Sequence, residues 1–172
     1  MDLLLLPGNS PRNKEWIEAV RDALRDDFDK TAIQYYDHWK DEALGGIDIN
    51  REIKKLPEII KEFDNYAVFA KSAGMLLALK AISEGVLSPQ KCYFVGSAIH
   101  MGKRSGMNLE KLLGSLKMPV LFIQKEHDPA GSFEELKALA EESGLSDYEM
   151  RKIPGETHHY GNVNRLRQYL LE

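Results

Sequence analysis

The chain is poor in cysteine, since Cys92 is the only one among its 172 residues. A single thiol excludes an internal disulfide bond, so the stability of the fold must come from a buried core. Proteins that fold without disulfides are typical of reducing compartments. The sequence therefore predicts a cytoplasmic location.

Long hydrophobic runs are also missing. The first apolar stretch, Leu3–Leu6, is four leucines long, ends at Pro7 and Gly8, and has no basic residue before it. A signal peptide needs a basic start and a longer apolar run. A membrane-spanning helix needs about 18 or more apolar residues. We expect neither in this chain, and no membrane partner.

The chain has no excess of positive charge. Lysine and arginine number 23 against 27 aspartates and glutamates, which gives a net charge of −4. Nucleic acids and anionic membrane surfaces attract clustered positive charge, so neither is an expected partner. The length predicts a single domain over residues 1–172, large enough to bury a core without a structural metal.

Six short apolar segments alternate with segments of helical periodicity. The apolar segments are typical of strands buried on both faces: Leu3–Leu6, Thr31–Tyr36, Tyr66–Ala70, Lys91–Gly96, Val120–Gln124 and Tyr148–Ile153. The predicted helices are Lys14–Asp27, Arg51–Phe63 (kinked or started at Pro57), Ser72–Glu84, Asn108–Leu116, Ser132–Ser143 and Asn162–Leu171. This alternation predicts an α/β three-layer sandwich around a mostly parallel, doubly wound sheet of six strands. In such sheets ligands bind at the carboxyl ends of the strands.

Ser72 stands at one of these strand ends. It follows the predicted strand Tyr66–Ala70 and opens a helix, with the small residues Ala70 and Gly74 two positions to either side. A sharp strand-to-helix turn needs small residues there and lifts the serine clear of the sheet. The A-x-S-x-G pattern resembles the G-x-S-x-G nucleophile elbow of the α/β-hydrolase superfamily, with alanine in place of the first glycine. The alternative is a plain helix N-cap.

A serine nucleophile needs a histidine base that a carboxylate orients. In the superfamily both follow the serine along the chain, the acid first and then the histidine. Asp128 follows the predicted strand Val120–Gln124 and resembles the superfamily's acid, although an Asp-Pro pair is also a common turn. Glu126 is a weaker alternative acid.

Two adjacent histidines precede the last predicted helix. "PGETHHY" resembles the PG-x-T-H-x-Y form of some small hydrolases, in which the first histidine is catalytic. This resemblance favours His158 as the base and keeps His159 as the alternative. Adjacent side chains usually point apart, so we expect no metal site here.

The loop after the first strand, "LPGNSPRN", is where the resemblance places one oxyanion donor. The backbone N–H of Asn9 or Ser10 is one candidate donor, and that of Ala73, directly after the serine, is the second. "PGN", together with a tryptophan in the next helix, is similar to small serine hydrolases related to retinoblastoma-binding protein 9. The alternative, a phosphate-binding loop, is disfavoured because G-x-G-x-x-G is absent.

The predicted pocket has no long insertion to serve as a lid. His100 and Met101, in "GSAIHMGKRSGMN", are candidate substrate contacts, as is Ser10. Trp39 follows the second strand and either lines the pocket or packs in the core. We hypothesise an open, shallow pocket for small or exposed acyl groups.

Together the residues resemble a reduced α/β-hydrolase. The resemblance implies a serine hydrolase that acts on a small-molecule ester or thioester through an acyl-enzyme, with Ser72, Asp128 and His158 as the triad and without a cofactor. A catalytically silent hydrolase fold that binds a ligand and a nucleotide-binding domain are the rival hypotheses. Amidase or peptidase activity is a variant of the first, and the oligomeric state stays open.

Overall fold

A computed structural model describes all residues, 1–172. Its centre is one six-stranded sheet in the order β2-β1-β3-β4-β5-β6, and every neighbouring pair is parallel. The strands are β1 Asp2–Leu6, β2 Thr31–Ile33, β3 Tyr66–Lys71, β4 Lys91–Val95, β5 Val120–Lys125 and β6 Tyr148–Ile153. Because all strands run the same way, their carboxyl ends share one edge of the sheet.

Seven α-helices lie between the strands and an eighth follows the last strand. They are α1 Asn13–Leu24, α2 Ile49–Ile53, α3 Leu56–Ile59, α4 Ala73–Ser83, α5 Ile99–Arg104, α6 Leu109–Gly114, α7 Phe133–Glu142 and α8 Val163–Leu171. Two single 3₁₀ turns, Asp37–Trp39 and Glu42–Leu44, lie between β2 and α2. No helix combines the length and the apolar character that crossing a membrane requires.

The sheet is covered on both faces, which confirms the predicted three-layer α/β architecture. Alternate residues of each strand point to opposite faces, so Leu3 and Leu5 of β1 pack with α1 and α8 in a cluster of 15 buried residues. Leu4 and Leu6 pack on the other side, with α2, α4, α6 and α7, in a cluster of 27. Burial on both faces is why the inner strands β1, β3, β4 and β5 are apolar without alternation, whereas the edge strands β2 and β6 are only partly buried.

The prediction for the segment between β2 and β3 was wrong in two places. β2 ends at Ile33 and not at Tyr36. The Gln34 N–H still donates to the Leu5 carbonyl, but the chain then leaves the sheet for the 3₁₀ turn Asp37–Trp39, and the Tyr36 hydroxyl donates to the Pro7 carbonyl. The single helix predicted at 51–63 is two short ones, α2 and α3. The Asp48 side chain caps α2 by accepting from the Arg51 N–H.

Helix α5 was not predicted. Gly102 lies inside it, and glycine disfavours helix. A Cβ at this position would lie 2.9 Å from the Leu109 side chain and 3.0 Å from that of Leu76. Close packing of α5 on α4 and α6 therefore requires glycine at this position, although the same glycine weakens the helical pattern in the sequence.

Candidate active site

Ser72 sits in a strained turn between β3 and α4. Its φ of 53° and ψ of −117° make it the only non-glycine residue with a positive φ. Such backbone costs roughly 1–3 kcal/mol and is concentrated at functional sites. A Cβ on Gly74 would lie 2.2 Å from the Leu6 carbonyl oxygen, so the turn requires glycine at that position. Ala70, the other small residue, is fully buried.

Three side chains from separate strand ends meet in one chain of hydrogen bonds. The Ser72 Oγ lies 2.8 Å from the His158 Nε2, and the His158 Nδ1 lies 2.9 and 3.0 Å from the two carboxylate oxygens of Asp128. A carboxylate only accepts, so Nδ1 carries the proton and Nε2 is left to accept from the serine hydroxyl. With 29% of its side chain exposed, His158 is open to solvent.

The carboxylate of Asp128 is held ionised inside the protein. Burial alone would raise the pKa of Asp128, but hydrogen bonds from His158, from the Tyr160 hydroxyl and from the Ala130 N–H outweigh burial and lower it. The phenol and amide donors lie at 2.7 and 2.8 Å. A buried carboxylate with this many donors stays charged and can stabilise an imidazolium.

Tyr160 is a site residue whose role the sequence did not predict. Its hydroxyl donates to Asp128 and accepts from the Lys125 N–H at 2.9 Å, while its ring meets the His158 ring edge to face. A Cβ on Gly96 would lie 2.6 Å from the Tyr160 ring, so the ring fills the space that this glycine leaves. Burial and the Asp128 hydrogen bond both raise the pKa of Tyr160, which keeps the phenol protonated. The final tyrosine of PG-x-T-H-x-Y was the only sequence signal.

The alternative residues lie away from Ser72. His159 is exposed, and its carbonyl accepts from the Lys125 Nζ at 2.6 Å. Glu126 pairs with Lys152 rather than with a histidine. Of the two candidate bases, the structure therefore brings His158 to the serine. No group of three or more His, Cys, Asp or Glu side chains is arranged to hold a metal ion.

The two predicted oxyanion donors lie at the same edge of the sheet. Ala73 is the first residue of α4, so its N–H has no carbonyl acceptor within the helix. The Asn9 N–H, in the loop after β1, donates to no acceptor in the protein. Ser10, the other candidate in this loop, is exposed and takes part in the turn that leads into α1, where its carbonyl accepts from the Asn13 N–H.

The predicted substrate contacts are partly engaged elsewhere. Both ring nitrogens of His100 lie against acceptors, the Pro129 carbonyl at 3.0 Å and a Glu135 carboxylate oxygen at 2.9 Å, so the geometry gives no support to a substrate hydrogen bond from His100. The Trp39 indole N–H donates to the Asn9 carbonyl at 2.9 Å. Met101 is half-buried and packs against the larger core cluster.

Lys71, directly before the serine, is a buried charge that the sequence analysis overlooked. It is 6% exposed, and its Nζ lies 5.7 Å from the centre of the Trp16 ring. Burial lowers the pKa of Lys71 to about 8, although the attraction of Asp128 opposes the shift. A lysine of this kind is partly neutral at mildly alkaline pH.

Solved structures with the same fold include hydrolytic enzymes. An uncharacterised protein from Bacillus cereus matches over 99% of this chain and 58% of its own length, at 17% identity and a TM-score of 0.74. The monoacylglycerol lipase of Paleococcus ferrophilus matches over 99% and 91%, at 14% identity and a TM-score of 0.68. The RedJ thioesterase of the prodiginine pathway in Streptomyces coelicolor matches over 99% of this chain and 89% of its own length, at 16% identity and a TM-score of 0.69. The chain has the α/β-hydrolase fold.

These neighbours support the α/β-hydrolase fold and do not confirm the narrower resemblance to the retinoblastoma-binding protein 9 group. The sequence matches no protein-family model and no curated protein. Within the α/β-hydrolase fold, Ser72 occupies the turn after β3, Asp128 the loop after β5 and His158 the loop after β6.

Proposed function

We propose that this α/β-hydrolase-fold chain is a serine hydrolase that cleaves a small ester or thioester through an acyl-enzyme. The observation that carries the proposal is the unbroken chain of hydrogen bonds from the Ser72 Oγ through His158 to Asp128. The strained backbone of Ser72 and the lowered pKa of Asp128 support it independently. Fold alone would not, because the same fold hosts many functions.

In the proposed first step the Ser72 Oγ attacks the substrate carbonyl carbon. The His158 Nε2 takes the hydroxyl proton as the oxygen–carbon bond forms, and Asp128 stabilises the resulting imidazolium while it holds the ring in place. The negative charge that develops on the carbonyl oxygen is bound by the N–H groups of Ala73 and Asn9. Both groups are backbone donors that need no rearrangement when charge develops.

Collapse of this intermediate breaks the bond to the leaving group. His158 gives its proton to the departing alcohol or thiol, and the acyl group stays on Ser72. A water molecule then gives a proton to His158 and attacks the acyl carbon. The bond between this carbon and the Ser72 Oγ breaks, His158 returns the proton to the Oγ, and the acid is released. No step needs a cofactor.

The proposed substrate class follows from the neighbours and the exposed base. A lipase and a thioesterase share the fold, and their names refer to ester and thioester substrates. His158 is partly exposed, which suits an acyl group presented at the surface. Nothing in the triad geometry selects an amide over an ester, so ester hydrolysis is the activity to assay first.

The test is covalent labelling of the serine. Intact mass would be measured after a fluorophosphonate probe on the wild type, on Ser72→Ala and on Ser97→Ala, with p-nitrophenyl acetate turnover in parallel. Ser97 is a matched control because it is a serine that also follows a strand, β4, and is fully buried. We expect one adduct on the wild type and on Ser97→Ala, and neither adduct nor turnover with Ser72→Ala.

A pair of histidine variants separates the candidate bases. His158→Ala should lose turnover, while His159→Ala should keep it, because the Ser72 Oγ is bonded to His158. A folded wild type that takes no adduct would refute the proposal and favour a catalytically silent binding protein.

A further inference from the structure

Three aromatic side chains from one short segment form hydrogen bonds with the loop that carries Asn9. The segment is residues 36–39, which contains the first 3₁₀ turn after β2. The Tyr36 hydroxyl donates to the Pro7 carbonyl at 2.7 Å. The Asn9 carbonyl oxygen lies 2.6 Å from the His38 Nε2 and 2.9 Å from the Trp39 Nε1. A carbonyl only accepts, so the His38 Nε2 carries a proton and donates.

The two carbonyls that accept these hydrogen bonds flank the peptide unit that carries the Asn9 N–H. The Pro7 carbonyl belongs to the unit before it, and the Asn9 carbonyl belongs to the unit after it. Gly8 lacks a Cβ, so by itself it would let the unit between them rotate at little cost. Because hydrogen bonds hold both neighbouring units, the Gly8–Asn9 peptide is fixed from each side.

The remaining contacts of Asn9 leave two of its groups, the backbone N–H and the side-chain NH2, without an acceptor in the protein. Two donors occupy both lone pairs of its carbonyl, and its side-chain Oδ1 accepts from the Ile47 N–H at 2.8 Å. The Asn9 N–H, by contrast, donates to no acceptor in the protein. Tyr36 is fully buried and His38 is 6% exposed, so loss of these bonds would leave polar groups stranded away from water.

We propose that Tyr36, His38 and Trp39 are positioning residues that hold the Asn9 N–H at the oxyanion hole. This inference rests on the proposed serine hydrolase function. Oxyanion donors are effective because they are fixed before charge develops, and the three aromatic donors fix this one. The inference also assigns the Trp39 indole N–H to the loop and not to the substrate.

Single-donor variants test the proposal. Tyr36→Phe and Trp39→Phe each remove one donor and keep an aromatic ring. Tyr35→Phe is the matched control, because it removes the neighbouring hydroxyl, which bonds instead to Glu18 at 2.8 Å. The turnover number and KM for p-nitrophenyl acetate would be measured for each variant, with the turnover number expressed per serine that the probe labels. Urea unfolding of each variant would be measured as well.

A loosened oxyanion donor lowers kcat without weakening ground-state binding. We therefore expect kcat to fall about tenfold in Tyr36→Phe and in Trp39→Phe, with KM within about twofold of wild type and Tyr35→Phe unchanged. The double variant should lose less than the product of the two effects, since both donors act on one loop. His38→Gln, which keeps an N–H donor, should retain more activity than His38→Leu.

Two results would overturn the inference. Folded Tyr36→Phe and Trp39→Phe with wild-type kcat would show that the contacts only stabilise the fold. A fall in kcat/KM carried entirely by KM would point to substrate binding instead. If the wild type itself takes no probe and shows no turnover, the proposed function fails and this inference fails with it, whereas a labelled wild type with insensitive variants refutes the inference alone.

Discussion

Removal of the Tyr160 hydroxyl is the most direct probe of the buried carboxylate. In Tyr160→Phe the ring still fills the space over Gly96, but Asp128 loses a donor at 2.7 Å and the Lys125 N–H loses its acceptor. A hydrogen bond to a charged group contributes roughly 1.5–3 kcal/mol, and an unsatisfied partly buried amide costs about 1 kcal/mol more. We expect the free energy of unfolding to fall by about 2–4 kcal/mol at pH 7.

The pH dependence of this loss gives a sharper test. The pKa of Asp128 is lowered in the folded state, so its stabilising contribution is fully present above its unfolded pKa, near 4, and is lost as pH falls below that value. Loss of one of the donors that lower this pKa moves it upward. The unfolded-state contribution is the same in both proteins, so the difference between Tyr160→Phe and the wild type should be constant at neutral pH. It should shrink as pH falls from the folded-state pKa of Asp128 in the variant towards the lower one in the wild type.

The measurement is urea unfolding of both proteins between pH 7 and pH 3.5. Tyr169→Phe is the control, because that tyrosine lies on α8 with its ring over Arg165 and its hydroxyl bonds to no side chain. A Tyr160→Phe loss at pH 7 no larger than that of Tyr169→Phe, or a loss that grows as pH falls, would refute the reasoning.

Three further predictions concern the turn around the nucleophile. Ser72→Gly should unfold with at least about 1 kcal/mol more free energy than Ser72→Ala, because glycine tolerates the positive φ; equal stability in urea would argue against strain. Gly74→Ala should lose more than about 3 kcal/mol, since its Cβ would lie 2.2 Å from the Leu6 carbonyl; a wild-type melting temperature would contradict the close approach. Lys71→Met should gain up to about 3 kcal/mol at pH 7, because the pKa of Lys71 is lowered to about 8 and the charged form is disfavoured in the fold. This gain should fall as pH rises through about 8 and disappear above the unfolded pKa, about 10.5. A gain that persists at about pH 11 in urea titrations would show that packing, not charge, causes it.

The fold was predictable because the four inner strands are buried on both faces. Runs such as Leu3–Leu6 and Val120–Gln124 carry no polar alternation, and only a sheet covered on two sides accommodates them. The prediction failed where local contacts overrule propensity. β2 is shorter than its apolar run because the chain leaves the sheet for the 3₁₀ turn Asp37–Trp39, where the Tyr36 hydroxyl bonds to the Pro7 carbonyl. Helix α5 was not predicted because its packing requires Gly102.

The sequence by itself determined the parallel layered fold and which reactive residues follow strands. Continuous apolar segments separated by helices leave little choice of architecture, and parallel strands bring Ser72, Asp128 and His158 to one edge although His158 lies 86 residues after Ser72. Their catalytic roles stay a prediction until the serine is labelled. Only the tertiary structure decided that His158 and not His159 faces the serine. It also decided that Tyr160 donates a hydrogen bond to Asp128 and that the donors of residues 36–39 bond to the Asn9 loop. Those contacts depend on the path of each loop and on side-chain rotamers, which hydrophobic periodicity does not encode.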